Sequence, residues 1–332
     1  MDPWLCELTV VLNGSHFPSE RQSLSRDVAR GLLVRVRLGV YVLADVWRGL
    51  DERGRHVLRM RALAAVTGRP PVFSHWSAAV ALGLPFSGQH LDRVHVTRPG
   101  GPDRVPQGVA PHFHPLPDGV VLEHRGLLVT GPARTVVDIA GASPFSHGVT
   151  AADAALRAGL AREELLTAWD EAGMRRAHRR TEDVILFAHP GAESANESES
   201  RVSMMRLQVE PPELQVEVFD ADGFAARLDF LFRRLRVGGE ADGAKKYLDP
   251  RLARDGAGRA LYDEKLREER ARAVLAGLPR WGWAQSCDPQ LLRPVLARAG
   301  VRPAGATFAD YCAAAAEWRP GATIRPLVPA LR

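Results

Sequence analysis

The chain contains 332 residues, of which 45% are hydrophobic and 25% are charged. This composition excludes a disordered or fibrous protein, and the length allows two or three domains, each with its own core. A formal net charge of +5 and a pI near 9.5 are typical of proteins that bind polyanions, although they do not require such a partner. The three cysteines, Cys6, Cys287 and Cys312, have neither the spacing of a metal motif nor that of a disulfide framework.

The sequence carries no signal for secretion or for membrane insertion. The N-terminal segment MDPWLCELTVVLNG lacks the basic start and the long apolar core of a secretory signal. No apolar run approaches the ~20 residues that a membrane-spanning helix needs. We therefore expect a cytoplasmic protein that has no membrane partner.

Residues 1–48 are predicted to form a winged-helix DNA-binding domain. Two short helical patterns come first, and the stretch FPSERQSLSRDVARG offers Ser23 and Ser25 as N-caps and Gly31 as the end of a helix. The alternation in LLVRVRLGVYVL then predicts a hairpin with its turn at Leu38–Gly39. Helix, turn, helix and hairpin is the order of a winged helix, whose second helix enters the major groove of DNA.

Five arginines of this domain are the candidate DNA contacts, because guanidinium groups bind phosphate oxygens and base edges. The candidates are Arg21, Arg26, Arg30, Arg35 and Arg37. The acid that accompanies them is Asp27, so the stretch is strongly basic. The alternative is a small helix–hairpin packing unit whose arginines are simply solvated.

Residues 49–146 are predicted to form a mixed α/β domain. FSHWSAAVALGLP has the pattern of a helix capped by Ser74, and DRVHVTRP and GVAPHFHPL have the pattern of strands. TGPARTVVDIAG predicts a strand that runs into a helix. Arg134 and Asp138, four residues apart, can pair on the surface of that helix.

Two groupings in this domain have the residue types of a catalytic or metal site. Ser74 and His75 combine a hydroxyl with a base, but adjacent residues point apart on a helix, and Ser74 is better explained as a cap. His112 and His114 alternate on a predicted strand and could bind a metal, yet no third ligand follows at a recognisable spacing. We therefore interpret these histidines as exposed polar positions.

The rest of the chain divides into three predicted segments. Residues 147–190 form a helical connector, in which the arginine group at 175–180 is interpreted as a solvated helix end. The small polar stretch GAESANESES marks a boundary, and residues 191–287 follow as a second α/β domain. Residues 288–332 form a C-terminal extension to which the sequence assigns no chemistry.

The predicted hairpin RLDFLFRRLRVGGEADG carries three acids on its polar face. If its strands pair through a turn near Arg233–Arg234, Asp229 neighbours Glu240, and Asp242 shares the face. Side-by-side carboxylates repel each other unless a cation lies between them, and Mg²⁺ prefers such oxygen ligands. With Glu197 of the preceding helix as a further ligand, the site could hydrolyse a phosphodiester. Alternatively, the acids are solvated, or Asp229 pairs with an arginine of the same hairpin.

The chain also resembles a known family, over nearly everything from Leu5 to Trp283. RGLLVRVRLGVYVL, FSHWSAAVALGLP, VHVTRP and TGPARTVVDIAG, in this order, are similar to actinobacterial AbiEi-type antitoxins of type IV toxin–antitoxin systems. SANESESR, PPELQ, RLDF, GEADGAKKY, DEKLREE and RWGW resemble a domain often fused to them. That domain has a restriction-endonuclease-like PD-(D/E)XK fold, close to very-short-patch-repair endonucleases. The resemblance implies a winged-helix head that represses the operon of antitoxin and toxin.

Carried over residue by residue, the resemblance implies catalytic roles for four residues. They are the first acid Asp229, the second acid Glu240, the helix acid Glu197 and the lysine Lys246. The lysine expected two residues after the second acid is replaced by Asp242. Gly238–Gly239 stand where bulkier residues are expected, which predicts a loosened strand. The resemblance therefore leaves the activity of this domain open.

The combined prediction is a DNA-binding transcriptional regulator of the antitoxin type with a nuclease-like C-terminal domain. Its expected partners are double-stranded DNA and a nucleotidyltransferase-like toxin, and Mg²⁺ is the cofactor that the acids indicate. A second hypothesis is a metal-dependent DNA endonuclease of the PD-(D/E)XK type, whose head only positions the cutting domain. A third is a protein-interaction scaffold. The sequence leaves the oligomeric state open.

Overall fold

The computed structural model describes residues 1–11, 18–84, 91–101, 105–173, 178–242 and 257–326, with the backbone alone for 18–20 and 257–265. The chain divides into two compact units. The first consists of Met1–Ser143 and Ala161–Glu182, and the second consists of Pro144–Leu160 and Asp183–Arg332. Both contain helices and sheet, which confirms the predicted mixed α/β class. The predicted boundaries at 48, 146, 190 and 287 do not coincide with the edges of these units, and that finer division stays a prediction.

The secondary structure alternates between short strands and helices. The strands are β1 (Thr9–Val10), β2 (Leu33–Arg37), β3 (Val40–Leu43), β4 (Val72–Phe73), β5 (Val94–Thr97), β6 (Val109–His112), β7 (Val121–His124), β8 (Leu127–Thr130), β9 (Glu213–Asp220), β10 (Gly223–Phe232), β11 (Val237–Ala241), β12 (Arg280–Trp281) and β13 (Thr323–Ile324). The helices are α1 (Pro18–Ala29), α2 (Ala44–Gly49), α3 (Glu52–Val66), α4 (His75–Ala81), α5 (Pro132–Ala142), α6 (Phe145–Arg157), α7 (Arg162–Glu171), α8 (His178–Phe187), α9 (Ala195–Arg206), α10 (Ala257–Val274), α11 (Trp283–Cys287), α12 (Pro289–Arg298) and α13 (Phe308–Glu317). Among the described residues, no helix combines the length and the apolar character needed to cross a bilayer.

The N-terminal sheet has the strand order β1-β3-β2, and α1 lies between β1 and β2 in the sequence. β2 and β3 form the predicted antiparallel hairpin, with the turn at Leu38–Gly39. Gly39 has a φ of +78°, and a Cβ there would lie 2.6 Å from the backbone oxygen of Val11. Glycine is therefore required at this turn for both its conformation and its size.

The helical part of this N-terminal segment differs from the prediction. Within the described residues, one helix rather than two precedes the hairpin. It begins at Pro18, so Ser23 and Ser25 lie inside it and cannot cap it, because an N-cap residue must lie before the first helical residue. Gly31 ends the helix as predicted, with a φ of +72° and an N–H that donates to the carbonyl of Val28.

The hairpin packs against α2 and α3 and shares one buried core with them. The core residues are Cys6, Val42, Leu50 and Leu58. Val34 and Val36 of β2 and Trp47 of α2 pack around them. Because apolar side chains on both sides of residue 48 bury one another, the predicted boundary at that position crosses this core.

The second sheet of the first unit has the order β6-β5-β4-β8-β7. The pairs β4–β8 and β5–β6 are parallel, whereas β4–β5 and β7–β8 are antiparallel. Phe73 of β4 lies beside Val129 of β8, and both are fully buried with Met60 of α3 and Ala78 of α4. The sheet brings the residues before α4 next to β5 and β6, which is where the histidines of this unit meet.

Helix α5 contains the predicted Arg134–Asp138 pair in an unexpected environment. Arg134 Nε donates to Asp138 Oδ1 at 2.8 Å, as the spacing of four residues predicts. The two side chains are, however, 2% and 0% exposed, so the expectation of a surface pair is wrong. The reason is that α5 contacts α4 on one side and α7 on another, which leaves it little exposed surface.

The second unit is built on a sheet of order β12-β11-β10-β9-β13. β9, β10 and β11 are antiparallel neighbours, and a turn of 3-10 helix at Arg233–Leu235 joins β10 to β11, close to the predicted turn. The C-terminal extension also contributes, because β13 pairs in parallel with β9 and buries Ile324 in the core of the unit. Trp283 begins helix α11 and does not continue the strand of Trp281.

Helix α9 is fixed in the second unit by a buried ion pair. Arg201 Nη1 lies 3.0 Å from Asp153 Oδ2, and both side chains are almost fully buried. The same carboxylate accepts hydrogen bonds from the Ser198 hydroxyl and the His189 backbone N–H, each at 2.7 Å. A buried carboxylate needs such partners to offset its loss of hydration. Ser198 and Arg201 of the SANESESR motif therefore hold α9 in place.

The two glycines of β11 are required by close packing. A Cβ at Gly238 would lie 2.8 Å from Leu278 Cδ1, and a Cβ at Gly239 would lie 2.7 Å from the ring of Trp281. That ring also stacks on Phe230, with 5.5 Å between centroids. The expectation of a loosened strand is therefore wrong, because neighbouring side chains fill the space that a larger residue would occupy.

We expect Gly239→Ala to destabilise the second unit by about 1 to 3 kcal/mol, because the added methyl group overlaps the ring of Trp281. The ring cannot retreat easily, since its Nε1 donates to Ser200 Oγ at 2.8 Å. Gly277→Ala is the matched control, because a Cβ there would come no closer than 3.7 Å to any atom. Urea unfolding followed by tryptophan fluorescence measures both. Equal stabilities of the two variants would contradict this packing.

Candidate functional site

The N-terminal segment presents three exposed arginines. Arg26 lies on α1, Arg30 directly follows α1, and Arg35 lies on β2. Arg30 and Arg35 form no ion pair with any described residue, and Arg26 Nε donates to the carbonyl of Gln22 in its own helix at 3.4 Å. Their guanidinium groups therefore stay available for an anionic partner.

Nearby arginines of the same unit are paired with acids. Arg48 lies 2.6 Å from Asp45, and Arg55 lies 3.2 Å from Glu52. Arg26, Arg30 and Arg35 thus differ from Arg48 and Arg55 in forming no ion pair with a described acid. This difference is what an anion-binding surface requires.

The remaining two candidates occupy different positions. Arg21 is exposed on α1 and lines a shallow depression together with Gln22, Ser25 and Arg26. Arg37, at the end of β2, is half-buried, and this burial lowers the pKa of its guanidinium from the usual value. Arg37 is therefore less accessible to a large ligand than the other four.

In the second unit, Glu197 lies near the start of α9 and is buried. Its Oε1 accepts a hydrogen bond from the Ser194 hydroxyl at 2.7 Å. Its Oε2 accepts bonds from the Glu193 backbone N–H at 2.8 Å and from Gln215 Nε2 at 2.9 Å. Burial, and then the negative charge of Asp229, raise the pKa of Glu197 to about 7.

The strands place two of the predicted acids side by side. Phe230 of β10 pairs with Gly239 of β11, and the same antiparallel register sets Asp229 opposite Glu240. Asp229 Oδ2 accepts a hydrogen bond from the backbone N–H of Ala241 at 2.8 Å. The predicted proximity of Asp229 and Glu240 therefore follows from the observed register.

Asp242 does not join these two acids. Both of its carboxylate oxygens bind the guanidinium of Arg280, at 2.8 and 2.9 Å. This bidentate pair neutralises Asp242 without a metal, which the sequence could not reveal because Arg280 lies 38 residues further on. Lys246, the predicted catalytic lysine, lies outside the described residues.

The predicted Mg²⁺ ligands do not fit a three-carboxylate site in this arrangement. The carboxylate oxygens of Asp229, Glu240 and Asp242 do not all lie within 4.8 Å of one another. In the described part of the chain, a different group of three side chains is that close together. Asp242 is held by Arg280 instead. Mg²⁺ binding and the catalytic roles of these residues stay predictions.

The group that does meet this limit consists of three histidines of the first unit. His75 follows β4, His95 lies in β5 and His112 ends β6, and their ligating nitrogens all lie within 4.8 Å of one another. The sequence predicts an exposed polar position at His112, because no third ligand is recognisable, whereas the side chain is half-buried and lies beside His75 and His95. Spacing along the chain does not show which strands are neighbours in a sheet, so this cluster could not be predicted from the sequence.

Ser74 and His75 interact, contrary to the prediction that they point apart. Ser74 Oγ lies 2.9 Å from His75 Nδ1. Ser74 occupies the N-cap position of α4, but its side chain makes no capping hydrogen bond. The contact arises because His75 has a φ of +50°, outside the helical conformation that the prediction assumed.

Two of the three histidines are neutral at neutral pH. Burial lowers the pKa of His75 well below its usual value. Burial, and then the positive charges of His114 and Arg93, lower the pKa of His112 to about 4. A neutral imidazole carries a free lone pair, which is the form that binds metals.

Comparison with known proteins finds a matching family model, similar sequences and a similar solved structure. The family model described as the AbiEi antitoxin C-terminal domain matches residues 72–183. Two Mycobacterium tuberculosis sequences, the uncharacterized proteins MT2308 (strain CDC 1551 / Oshkosh) and Rv2248 (strain ATCC 25618 / H37Rv), are each 32% identical over 232 residues, covering 69% of this chain and 81% of the relative. The crystal structure of the Rv2827c protein from Mycobacterium tuberculosis aligns with 20% identity and a TM-score of 0.33, over 53% of this chain and 71% of that one.

The fold and the site define a mixed α/β protein with an exposed basic N-terminal segment. The match over residues 72–183 covers the whole second sheet of the first unit together with α4 to α7. This match places the chain in the AbiEi antitoxin family.

The raised pKa of Glu197 predicts a pH-dependent stability of the second unit. Below about pH 4.5 the carboxyl is protonated in both the folded and the unfolded chain. Between 4.5 and about 7 the unfolded chain releases a proton that the folded chain keeps, so this group lowers the free energy of unfolding as the pH rises. We expect Glu197→Gln to remove this decline, which amounts to about 2 to 3 kcal/mol.

Urea unfolding of the wild type and of Glu197→Gln at about pH 5 and about pH 8 tests this expectation. The quantity compared between the proteins is the change in the free energy of unfolding from about pH 5 to about pH 8. The absolute values are less informative, because the amide also alters local hydrogen bonds. Glu317→Gln, at an exposed position of the same unit, is the control and should follow the wild type. A Glu197→Gln profile that parallels the wild type at both pH values would show that Glu197 is not the titrating group.

Proposed function

We propose that this protein binds double-stranded DNA through its N-terminal segment and represses the operon that encodes it and its toxin. The carrying observation is that Arg26, Arg30 and Arg35 are exposed and form no ion pair with an acid among the described residues. Phosphate contacts from such arginines supply most of the affinity of a DNA-binding protein.

The order of elements supports a winged-helix arrangement of this segment. Helix α1 directly precedes the β2–β3 hairpin, and β1 pairs with β3 to complete the sheet. In a winged helix, the helix before the hairpin is the one that enters the major groove, while the hairpin contacts the backbone. α1 would thus be the recognition helix and β2–β3 the wing.

The distribution of charge agrees with this assignment. Arg26 and Arg30, four residues apart, lie near one face at the C-terminal end of α1, and Arg35 lies on the wing. Gln22 and Ser25, beside Arg26 on α1, offer uncharged donors of the kind that also contact phosphate and bases. At the tip of the wing, Leu38 is 75% exposed and free to approach a groove.

Family membership supports the second half of the proposal. An antitoxin acts together with a toxin, and the resemblance to type IV systems favours a nucleotidyltransferase-like toxin. The reading frame adjacent to the gene should therefore encode such a toxin. Expression of that reading frame alone should arrest growth, and co-expression of this protein should relieve the arrest. Equal relief by an unrelated DNA-binding protein would contradict a specific partnership.

We expect the wild type to bind the DNA upstream of its own coding region. Arg30→Glu and Arg35→Glu should each weaken binding roughly tenfold and lower the slope of log affinity against log salt by roughly 1, because each loses a phosphate contact. Arg69→Glu is the matched control, since Arg69 is exposed in the same unit and lies outside α1 and β2. Fluorescence anisotropy across a salt series measures all four proteins. Wild-type affinity in both charge-reversal variants would contradict the proposal.

Metal-dependent DNA cleavage remains a separate hypothesis. The geometry gives it limited support, because Asp229 and Glu240 are neighbours whereas Asp242 is bound to Arg280. Incubation of supercoiled plasmid with the protein and Mg²⁺ or Mn²⁺ tests it directly. Nicking by the wild type that is lost in Asp229→Ala would establish the hypothesis. A plasmid that stays intact with both Mg²⁺ and Mn²⁺ would contradict it.

A further inference from the structure

The histidine cluster of the first unit gathers three nitrogen ligands in one place. The rings of His75 and His112 stack with 3.5 Å between centroids, and those of His95 and His112 with 5.2 Å. His95 Nδ1 lies 3.0 Å from His112 Nε2. Nitrogens of a tetrahedral zinc site, with Zn–N bonds of about 2.0 to 2.1 Å, lie about 3.3 Å apart. The nitrogens are thus already about as close as ligands of one ion, and the stacked rings would tilt apart to direct their lone pairs at it.

Polar groups surround Nδ1 of His75, which leaves the other ring nitrogen, Nε2, facing away from them. His75 Nδ1 lies 2.9 Å from Ser74 Oγ, and this hydroxyl accepts a hydrogen bond from the Thr97 hydroxyl at 2.7 Å. Asp138 Oδ2 lies 3.9 Å from the same nitrogen. Metal-binding histidines commonly use one ring nitrogen for such contacts and the other for the metal. Nε2 of His75 is thereby left as the ligating atom.

The carboxylate behind His75 is incompletely satisfied. Asp138 Oδ1 is bound to Arg134, but Oδ2 is buried and has no hydrogen-bond partner in the described part of the chain. Leaving a buried acceptor unpaired is unfavourable. A cation bound at His75 Nε2 would make the Nδ1–H group of that ring more positive and so favour its approach to this oxygen. The unpartnered atom thus has a physical explanation if the cluster holds a metal.

We propose that His75, His95 and His112 bind one divalent transition-metal ion, with Zn²⁺ as the best match. Imidazole nitrogens suit Zn²⁺, Cu²⁺ and Ni²⁺, whereas Mg²⁺ requires oxygen ligands. Three protein ligands leave a fourth position for water or an exogenous group. The site is distinct from the acids of the second unit in both its ligands and its metal class.

The ion would connect three parts of the fold that are separate in sequence. It would link the start of α4 to β5 and to the end of β6, which are otherwise joined by strand pairing and apolar packing. A metal that binds only the folded protein stabilises it in proportion to the metal concentration. The first unit should therefore melt at a higher temperature when Zn²⁺ is bound.

The test is equilibrium zinc binding to the purified full-length protein. After chelation and dialysis against buffer with Zn²⁺, elemental analysis should find about one zinc per chain in the wild type, as expected for one three-histidine site. His95→Gln and His112→Gln should each lower the affinity by at least tenfold, and Zn²⁺ should raise the melting temperature of the wild type but not of these two variants. His124→Gln, which changes a histidine of β7 outside the cluster, should bind like the wild type.

A second measurement on the wild type does not depend on the folding of any variant. Co²⁺ bound by the histidines should give the visible absorption of a four-coordinate ion without a thiolate charge-transfer band. A wild type that binds no Zn²⁺ overturns the proposal, as does full occupancy in His95→Gln and His112→Gln. A thiolate band on Co²⁺ binding would likewise overturn it, by assigning the ion to cysteine.

Discussion

A buried arginine–aspartate pair determines the local structure of each compact unit. In the first unit, Arg134 and Asp138 lie within α5 and are almost fully withdrawn from water. In the second, Arg201 of α9 pairs with Asp153 of α6. Removing one partner of such a pair leaves an uncompensated buried charge, which is strongly destabilising, so the surrounding elements can adopt few other positions. The two candidate chemical sites depend on these pairs, since Asp138 lies beside His75 and α9 carries Glu197.

The N-terminal basic surface contains arginines that are exposed to water, in contrast to the buried, paired arginines of the interior. Arg26, Arg30 and Arg35 are exposed and form no ion pair with a described acid, whereas Arg48 and Arg55 nearby are paired. Solvated guanidinium groups contribute little to folding, so their unpaired state has no evident structural benefit. They are instead suited to a polyanion, from whose surface their binding releases counterions. The same residue type thus stabilises the interior of the protein and, at its surface, would supply the proposed contacts to DNA.

The sequence was informative where structure depends on neighbouring residues and uninformative where it depends on distant ones. The β2–β3 turn and the end of α1 at Gly31 follow from local patterns, and the structure contains both. Spacing alone could not show that the Arg134–Asp138 pair is buried, because a four-residue interval is the same on any face of a helix. The histidine cluster and the Asp242–Arg280 pair join residues that only the sheet topology brings together.

Site-specific photo-crosslinking tests the central claim, that the N-terminal helix and hairpin bind DNA, most directly. A benzophenone amino acid at Leu38, which is 75% exposed at the hairpin turn, should crosslink to DNA from upstream of the gene upon irradiation. The same group at Leu291, which is 48% exposed in the second unit, should give little crosslinking and serves as the control. Efficient crosslinking from Leu291 with none from Leu38, under conditions in which the protein binds that DNA, would contradict this account.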